Sequence, residues 1–325
     1  MGISLDQIKS PIADELKAFE VRFKQSMKSQ VSLLDTITSY IVKRKGKQIR
    51  PIFVLLSAKH LGEINDSTYR GAALVELLHT ATLVHDDVVD DSYQRRGFFS
   101  VNAIWKNKIA VLVGDFLLAK GLLLSVNNKD FQLLSIVSEA VKQMSEGELL
   151  QIEKTRKLNL EESVYFDIIT KKTASLIASC CAIGAASIEG VSEAEIEKMR
   201  LFGEKVGLAF QIKDDLFDYG NDDIGKPLGI DIKERKLTLP LIYAINKASR
   251  EERRKVTYII KNQNTQPDKV KYVLEFVKNS GGIEYAEQKM NEIRDDALRI
   301  LEEFPNNIAS EKLKDLVHFV INRTK

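Results

Sequence analysis

The sequence predicts an all-α fold, a bundle of about ten to thirteen helices. Three observations carry that prediction. Prolines are few, six in 325 residues, at positions 11, 51, 227, 240, 267 and 305. Between them apolar residues recur at intervals of three and four, the spacing that lines one face of a helix. No stretch reads as a strand. In chain order the periodicity gives helices over 4–30, 31–44, 51–61, 68–92, 101–125, 130–154, 161–189, 193–219, 237–247, 251–262, 267–279, 282–302 and 308–323. Those around 74–84 and 174–187 are apolar or small on most faces, as in the middle of a bundle, whereas helices after about 250 are charged along one side. No Pro, Gly or Ser-rich linker and no fixed-period repeat interrupts the pattern, so residues 1–325 read as a single helical domain. Three glycine-containing basic segments stand out as functional loops: 43–51, 92–100 and 219–236.

Composition narrows the function. The formal charge is +2 with 29% charged residues, which lacks the basic excess that nucleic-acid binding requires. Cys180 and Cys181 are adjacent, badly placed to bridge each other, and have no zinc-ligand spacing, which fits a reducing cytoplasmic setting. The N-terminus has acids early and no continuous apolar stretch, so it reads as neither a signal nor a transit peptide, and aspartate at position 6 misses the myristoylation pattern. Of the two most apolar stretches, "IAVLVGDFLLAKGLLLSV" contains Asp115 and Lys120 and "ASLIASCCAIGAAS" is short of the ~20 residues a span needs. No transmembrane segment is expected.

The chemistry lies in two acidic clusters. "LVHDDVVDDSYQRRG" (83–97) puts four aspartates into six positions at the end of an apolar helix. Aspartate is a poor helix former, and like charges one turn apart cost roughly 0.2–0.5 kcal/mol per pair. A helix C-terminus also carries partial negative charge already. Residues 210–219, "FQIKDDLFDY", repeat the arrangement: Asp214, Asp215 and Asp218 have the i, i+1, i+4 spacing of Asp86, Asp87 and Asp90. One such cluster is usually a solvated helix end; two of identical spacing, each in apolar sequence and each followed by lysines or arginines, point to a site for a hard cation. Oxygen ligands with waters and substrate phosphate suit Mg²⁺. The stretch "DYGNDDIGKPLG" lacks the turn glycine and final glutamate of an EF-hand, and neither a Walker loop nor GxGxxG occurs. The substrate is therefore expected to be a phosphate ester with an apolar body.

Further segments, "GKQIRP", "ELLHTATLVHDD", "VGD", "KKTASL" and "GKPLGIDIKERKLTLP", occur in order with "DDVVD…RRG" and "FQIKDDLFD". Over about 43–240 the chain resembles the trans-type isoprenyl diphosphate synthases, the polyprenyl synthetase family. The resemblance implies an isoprenoid synthase-type bundle around an active-site cavity. It implies that Asp86, Asp87, Asp90, Asp214, Asp215 and Asp218 hold about three Mg²⁺ ions on an allylic diphosphate such as farnesyl or geranylgeranyl diphosphate. Arg95, Lys172 and Lys226 would contact that diphosphate, with Lys236 closing nearby; Lys47, Arg50, His79 and Arg96 would hold isopentenyl diphosphate; Thr173 and Gln211 would flank the reacting carbons. Gln48 departs from the family's common basic residue in "GKRxRP" without touching these positions. One turn, ~5.4 Å, before the first cluster stand the small Ala81 and Thr82, with Leu78 a turn deeper, where short-chain relatives tend to carry blocking aromatics. This implies a long all-trans product, roughly C30 to C45, of the kind used for quinone side chains.

The resemblance also implies a homodimer through mid-chain helices, and the apolar product suggests peripheral membrane contact for its release. A short-chain farnesyl or geranylgeranyl diphosphate synthase is the nearest alternative. A terpene cyclase would not need Lys47, Arg50, His79 and Arg96, and a non-catalytic partner subunit would not need all six aspartates.

Overall fold

The computed structural model describes residues 4–43, 46–95, 97–157, 161–220 and 228–321. The chain begins with α1 (Leu5–Lys9), a 3-10 turn over Ser10–Ile12, α2 (Ala13–Ser26), α3 (Ser32–Lys43), α4 (Ile49–Leu61) and α5 (Asp66–Val89). A hairpin of β1 (Gln94–Arg95) and β2 (Phe98–Phe99) leads into α6 (Val101–Asn127), α7 (Phe131–Lys157) and α8 (Glu162–Ile169). A π-helical turn, Thr170–Ala174, joins α8 to α9 (Ser175–Ala186), and α10 (Glu193–Phe217) follows. The remainder is α11 (Ile230–Lys233), α12 (Leu239–Lys247), α13 (Arg250–Asn262), α14 (Pro267–Asn279), α15 (Gly282–Glu302) and α16 (Ile308–Ile321). The all-α expectation holds. It differs in detail at the N-terminus, where Pro11 cannot continue an α-helical ladder and the expected 4–30 helix divides around it. The hairpin has two residues per strand, too few to show alternation in sequence.

The helices that carry the acidic clusters have strong starts. Asn65 accepts the Ser67 and Thr68 amides at 2.8 and 3.1 Å ahead of α5, and Ser192 and Glu195 form a capping box ahead of α10. Behind both stands α9, whose residues from Ser175 to Ala185 are all buried. Two glycines let α10 close on it: a Cβ at Gly203 would lie 2.7 Å from the Ile177 carbonyl, and one at Gly207 would lie 2.5 Å from Ala174 Cα. That approach brings the next turn of α10 onto the π turn bearing Lys172 and Thr173. The principal core joins Ile8 near one end of the chain to Ile321 near the other. A smaller core over α12–α14 includes Tyr219 and Ile232 and caps the acidic end of α10, while a third packs α3, α5 and α6 around Leu77, Ala81 and Leu117.

By length and composition Val101–Asn127 and the run Glu162–Ala186 could each cross a membrane. The second is 78% buried over its apolar window and is the core helix just described; the first is 33% buried, packed on α5 along one side and exposing Leu112, Leu122, Leu123 and Val126 on the other. Near its start α6 contains one residue of non-helical backbone, Lys106, at φ 74° and ψ 161°. Only glycine adopts that region without strain, which costs a side-chain-bearing residue about 1–3 kcal/mol. The break turns Val101–Trp105 so that Asn102 meets the end of α5. Lys106→Gly is expected to raise stability by about 1 kcal/mol, after allowing for glycine's larger unfolded-state entropy. A urea midpoint unchanged or lowered by the substitution would show that the lysine side chain offsets its backbone.

Candidate active site

Both acidic clusters end their helices in the same way. Asp90 is the C-terminal cap of α5 and Asp218 that of α10, and the middle aspartate of each trio turns inward: Asp87 is 4% exposed and Asp215 is 7%. The outer two lie one turn apart on one stripe, exposed at Asp86 and Asp90 and half-buried at Asp214 and Asp218. Burying a carboxylate is costly unless it is bonded, and each middle aspartate is bonded differently.

Asp87 is held by the hairpin. Arg95 donates through Nε to Asp87 Oδ1 at 2.7 Å, with Nη2 ion-paired to the same oxygen at 2.7 Å, while the Ser92 amide and the Asn102 side-chain amide donate to the Asp87 carbonyl, each at 2.9 Å. Ser100 N–H donates to the Tyr93 carbonyl at 3.1 Å and its hydroxyl to the Ser92 carbonyl at 2.7 Å, so the loop returns to the helix end it serves. Asp86 remains on the outer stripe. Burial, then the charges of Asp90 and Glu148, push its carboxyl up, with Arg95 and Lys172 opposing. Lys172, on the π turn, pairs with Glu148 at 2.5 Å and with Gln151 Oε1 at 3.1 Å. It stands between the two acidic ends.

Asp215 is held by neutral donors. Its Oδ1 accepts from Gln211 Nε2 at 2.9 Å and its Oδ2 from the Tyr165 hydroxyl at 2.8 Å; Gln211 Oε1 in turn accepts from Thr173 at 2.8 Å. Burial raises this carboxyl to about 7 against those two hydrogen bonds. Asp218 accepts the Ile230 and Asp231 amides at 2.8 and 3.2 Å, capping α11, and burial with the Asp231 charge pushes it to about 6. Lys236 pairs with Glu234 at 2.6 Å and Asp231 at 3.4 Å. Lys172, Thr173, Gln211, Asp214, Asp215, Asp218 and Lys236 all line one cavity of about 680 Å³, in the size range of small-molecule sites.

The other expected residues fall elsewhere. Lys47 Nζ lies 5.6 Å from the centre of the Phe319 ring, Arg50 is 3.9 Å from Glu76, and His79 is buried on α5; none lines the cavity. Ala81 is wholly buried in the third core against α6, Leu78 is buried beside Gly121, and half-buried Thr82 donates to the His79 carbonyl at 2.8 Å. Arg96 and Lys226 lie outside the described residues. The sequence reading missed Tyr165, Glu148, Asn102 and Asp231. Tyr165 is seven residues, two turns, before Lys172, and that spacing was its only signal.

Among the described residues no three carboxylates converge tightly enough to hold an ion unaided. Mg²⁺ takes one or two carboxylates with water and substrate phosphate, and burial together with the Asp90 and Glu148 charges, which raise the carboxyl of Asp86, makes a place that a cation suits. The donor set therefore fits an ion held jointly with an anionic substrate.

The polyprenyl synthetase family profile matches residues 31–277. The chain is 37% identical to the all-trans-nonaprenyl-diphosphate synthase (geranyl-diphosphate specific) of Rhodobacter capsulatus, over 99% of both chains. It is similar to a polyprenyl synthase from Caulobacter crescentus CB15, solved with calcium and isoprenyl diphosphate, at 34% identity and a TM-score of 0.89 over 100% of this chain and 99% of that one. It is also similar to a geranylgeranyl pyrophosphate synthase from Bacteroides thetaiotaomicron, at 38% identity and a TM-score of 0.83 over 98% and 99%.

The Asp215 environment makes stability depend on pH. An unfolded aspartate ionises near 3.8 and the native one at about 7, so between those values the native state keeps a proton that the unfolded state has released. Stability is full below the lower value and falls as pH rises through the upper one. Asp215→Asn should flatten this decline in urea midpoints measured from pH 4 to 8. Tyr165→Phe, which removes a donor to the ionised form, should carry the decline to higher pH, and identical profiles for all three proteins would remove Asp215 as its source.

Proposed function

The chain belongs to the polyprenyl synthetase family, and from that premise we propose that it is a long-chain all-trans polyprenyl diphosphate synthase. It is a Mg²⁺-dependent trans-prenyltransferase, condensing isopentenyl diphosphate head to tail with an allylic diphosphate. The observation that carries this reading is the aspartate-capped end of α10 lining a cavity together with Lys172, whose charge also acts on Asp86 at the matching end of α5.

Each residue group has a part in the reaction. Asp86, Asp87, Asp90, Asp214, Asp215 and Asp218 would hold the Mg²⁺ ions, about three by family analogy, which when bound stabilise charge on the departing diphosphate. Within that set Asp87 is steadied by Arg95, Asp215 by Gln211 with Tyr165, and Asp218 by the Ile230 and Asp231 amides. Lys172 offers a cation to the diphosphate, and Arg95 and Lys236 join it by exchanging their present carboxylate partners; Lys226 is assigned the same role by its place in the motif. Ile168, Ile169, Phe217 and Leu237 line the cavity and keep water from the allylic cation left when the C–O bond breaks. Thr173 and Gln211 set dipoles beside it. The C=C of isopentenyl diphosphate, anchored by Lys47, Arg50, His79 and Arg96, forms the new C–C bond, and the released diphosphate takes the proton.

The proposed product is roughly C30 to C45, made from a farnesyl or geranylgeranyl primer for a quinone side chain, with the chain growing past Thr82 and Ala81 toward Leu78. The nonaprenyl synthase at 37% identity supports that length. A short-chain product is the second reading, favoured by the 38% identity to a geranylgeranyl pyrophosphate synthase. Retention of all six aspartates argues against a non-catalytic subunit. A homodimer is proposed through the exposed apolar side chains of α6 and α7, Leu112, Leu122, Leu123, Val126, Phe131 and Leu149. The single principal core supports one domain, and two buried free cysteines suit a cytoplasmic location.

Asp86→Ala and Asp214→Ala should each lower turnover at least about a hundredfold, and wild-type rates in either would refute the assignment of the metal site. Labelled isopentenyl diphosphate with farnesyl and geranylgeranyl primers should give products of six or more isoprene units; arrest at three or four would establish the short-chain reading. Ala81→Tyr should shorten the product, and an unchanged distribution from a folded variant would show that the chain does not pass there.

A further inference from the structure

Between Lys247 and Lys278 the chain has nine lysines and arginines against four acids, a net charge of +5, while the rest of the chain carries −3. This segment builds α12's end, α13 and α14, whose apolar sides close the small core with Tyr219 and Ile232. It caps the acidic end of the bundle. A Cβ at Gly229 would lie 2.4 Å from Val270 of α14, so α14 directly backs the backbone that leads into the α11 amides bound by Asp218.

The outer side of α13 is a stripe. Val256, Ile259 and Ile260 face the core, and Arg250, Arg254, Tyr258 and Lys261, spaced by four, four and three, lie opposite and exposed. Tyr258 is 58% exposed. Among the described residues no carboxylate comes within 4 Å of Arg250, Arg254 or Lys261. The nearby cations have other partners: Lys255 covers the Tyr272 ring at 4.1 Å, and Lys271 reaches Glu275 at 4.0 Å. The same end of the bundle exposes apolar side chains at the hairpin, with Val89 77%, Tyr93 65%, Phe98 49% and Phe99 61% exposed.

We propose that this end of the molecule docks on an anionic lipid surface, with the α13 stripe supplying the charge attraction and the hairpin aromatics the interfacial anchor. The apolar face of α13 is closed by its own core, so the helix stays at headgroup level, where aromatic rings and cations are both favoured. The exposed apolar hairpin selects lipid over nucleic acid, since Val89 and Phe98 gain nothing from a phosphate backbone. Its consequence, delivery of a long apolar product into the bilayer, rests on the proposed function; the docking itself does not.

The test is co-sedimentation of the full chain with vesicles of phosphatidylcholine alone or mixed with phosphatidylglycerol. Each cation near such a surface adds about fivefold to binding, screened by salt. Wild-type protein should sediment with the anionic vesicles only, and about 0.5 M salt should release it. Arg254→Glu with Lys261→Glu should lower binding at least about tenfold while leaving farnesyl-primed turnover without vesicles unchanged. Lys24→Glu with Lys28→Glu, the same charge change on the far α2 segment, should bind as wild type, and Phe98→Ser with Phe99→Ser should bind several-fold more weakly. Equal binding to both vesicles, full binding by the α13 variant, loss in the α2 variant, full binding by the hairpin variant, or tighter binding to single-stranded RNA than to vesicles would overturn the proposal. A catalytically inactive protein that still binds anionic vesicles would refute the functional reading and leave the docking intact.

Discussion

The constraint on which the structure depends is the burial of one carboxylate in each acidic helix end. Three aspartates at a helix C-terminus repel one another and the helix dipole. The fold accepts this by sending the middle one inward to fixed donors. Arg95 takes Asp87; Tyr165 and Gln211 take Asp215. Features that look unrelated serve these bonds: the break at Lys106 aims Asn102 at the Asp87 carbonyl, the hairpin returns Arg95, and Gly203 with Gly207 brings Gln211 onto Thr173. Asp86 and Asp90 are thereby left exposed, while Asp218 caps α11.

The two ends have the same spacing and different electrostatics. Asp87 has a guanidinium and a charge-assisted bond, the stronger kind. Asp215 has two neutral donors, and burial dominates, raising its carboxyl to about 7. Asp218 next to it, facing Asp231, is raised to about 6. Burial thus raises two carboxyls of the second cluster, while in the first Asp87 is compensated beforehand by Arg95. Lys172, coupled to Asp86 and lining the cavity with Asp214, is the side chain through which the two halves sense each other.

Much of this was legible in the sequence because it rests on periodicity and spacing. The helices of α5 and α10, their ends and the acidic trios follow from apolar intervals and from aspartates where aspartate is locally unfavourable. What was not legible depends on contacts between distant segments. Nothing local distinguishes Asp87 from Asp86, or shows that Tyr165 would meet Asp215 fifty residues on. The division at Pro11, the π turn at 170–174 and the four-residue α11 are likewise set by neighbours. Asp231 shows this clearly: its amide is half of the Asp218 cap, yet in sequence it is one acid in a basic loop.

The smallness of Ala81 has two physical causes that coincide on α5. Thr82 shares the stripe of Asp86, but Ala81 is turned toward α6, where Leu77, Val84, Val113 and Leu117 surround it and Gly121 admits Leu74 and Leu78. Small residues on both helices permit the close packing now present, and the same seam is where a growing apolar chain would need room. A helix apolar all round must be covered on every side. Packing on α5 covers one side of α6, and its other side, Leu112, Leu122, Leu123 and Val126, remains exposed. Under the proposed dimer, α6 becomes a wall one helix thick, with the elongating product on one face and a second protomer on the other. Product length and dimer stability would then draw on the same residues, and substitutions that open the seam would reach the interface through α6.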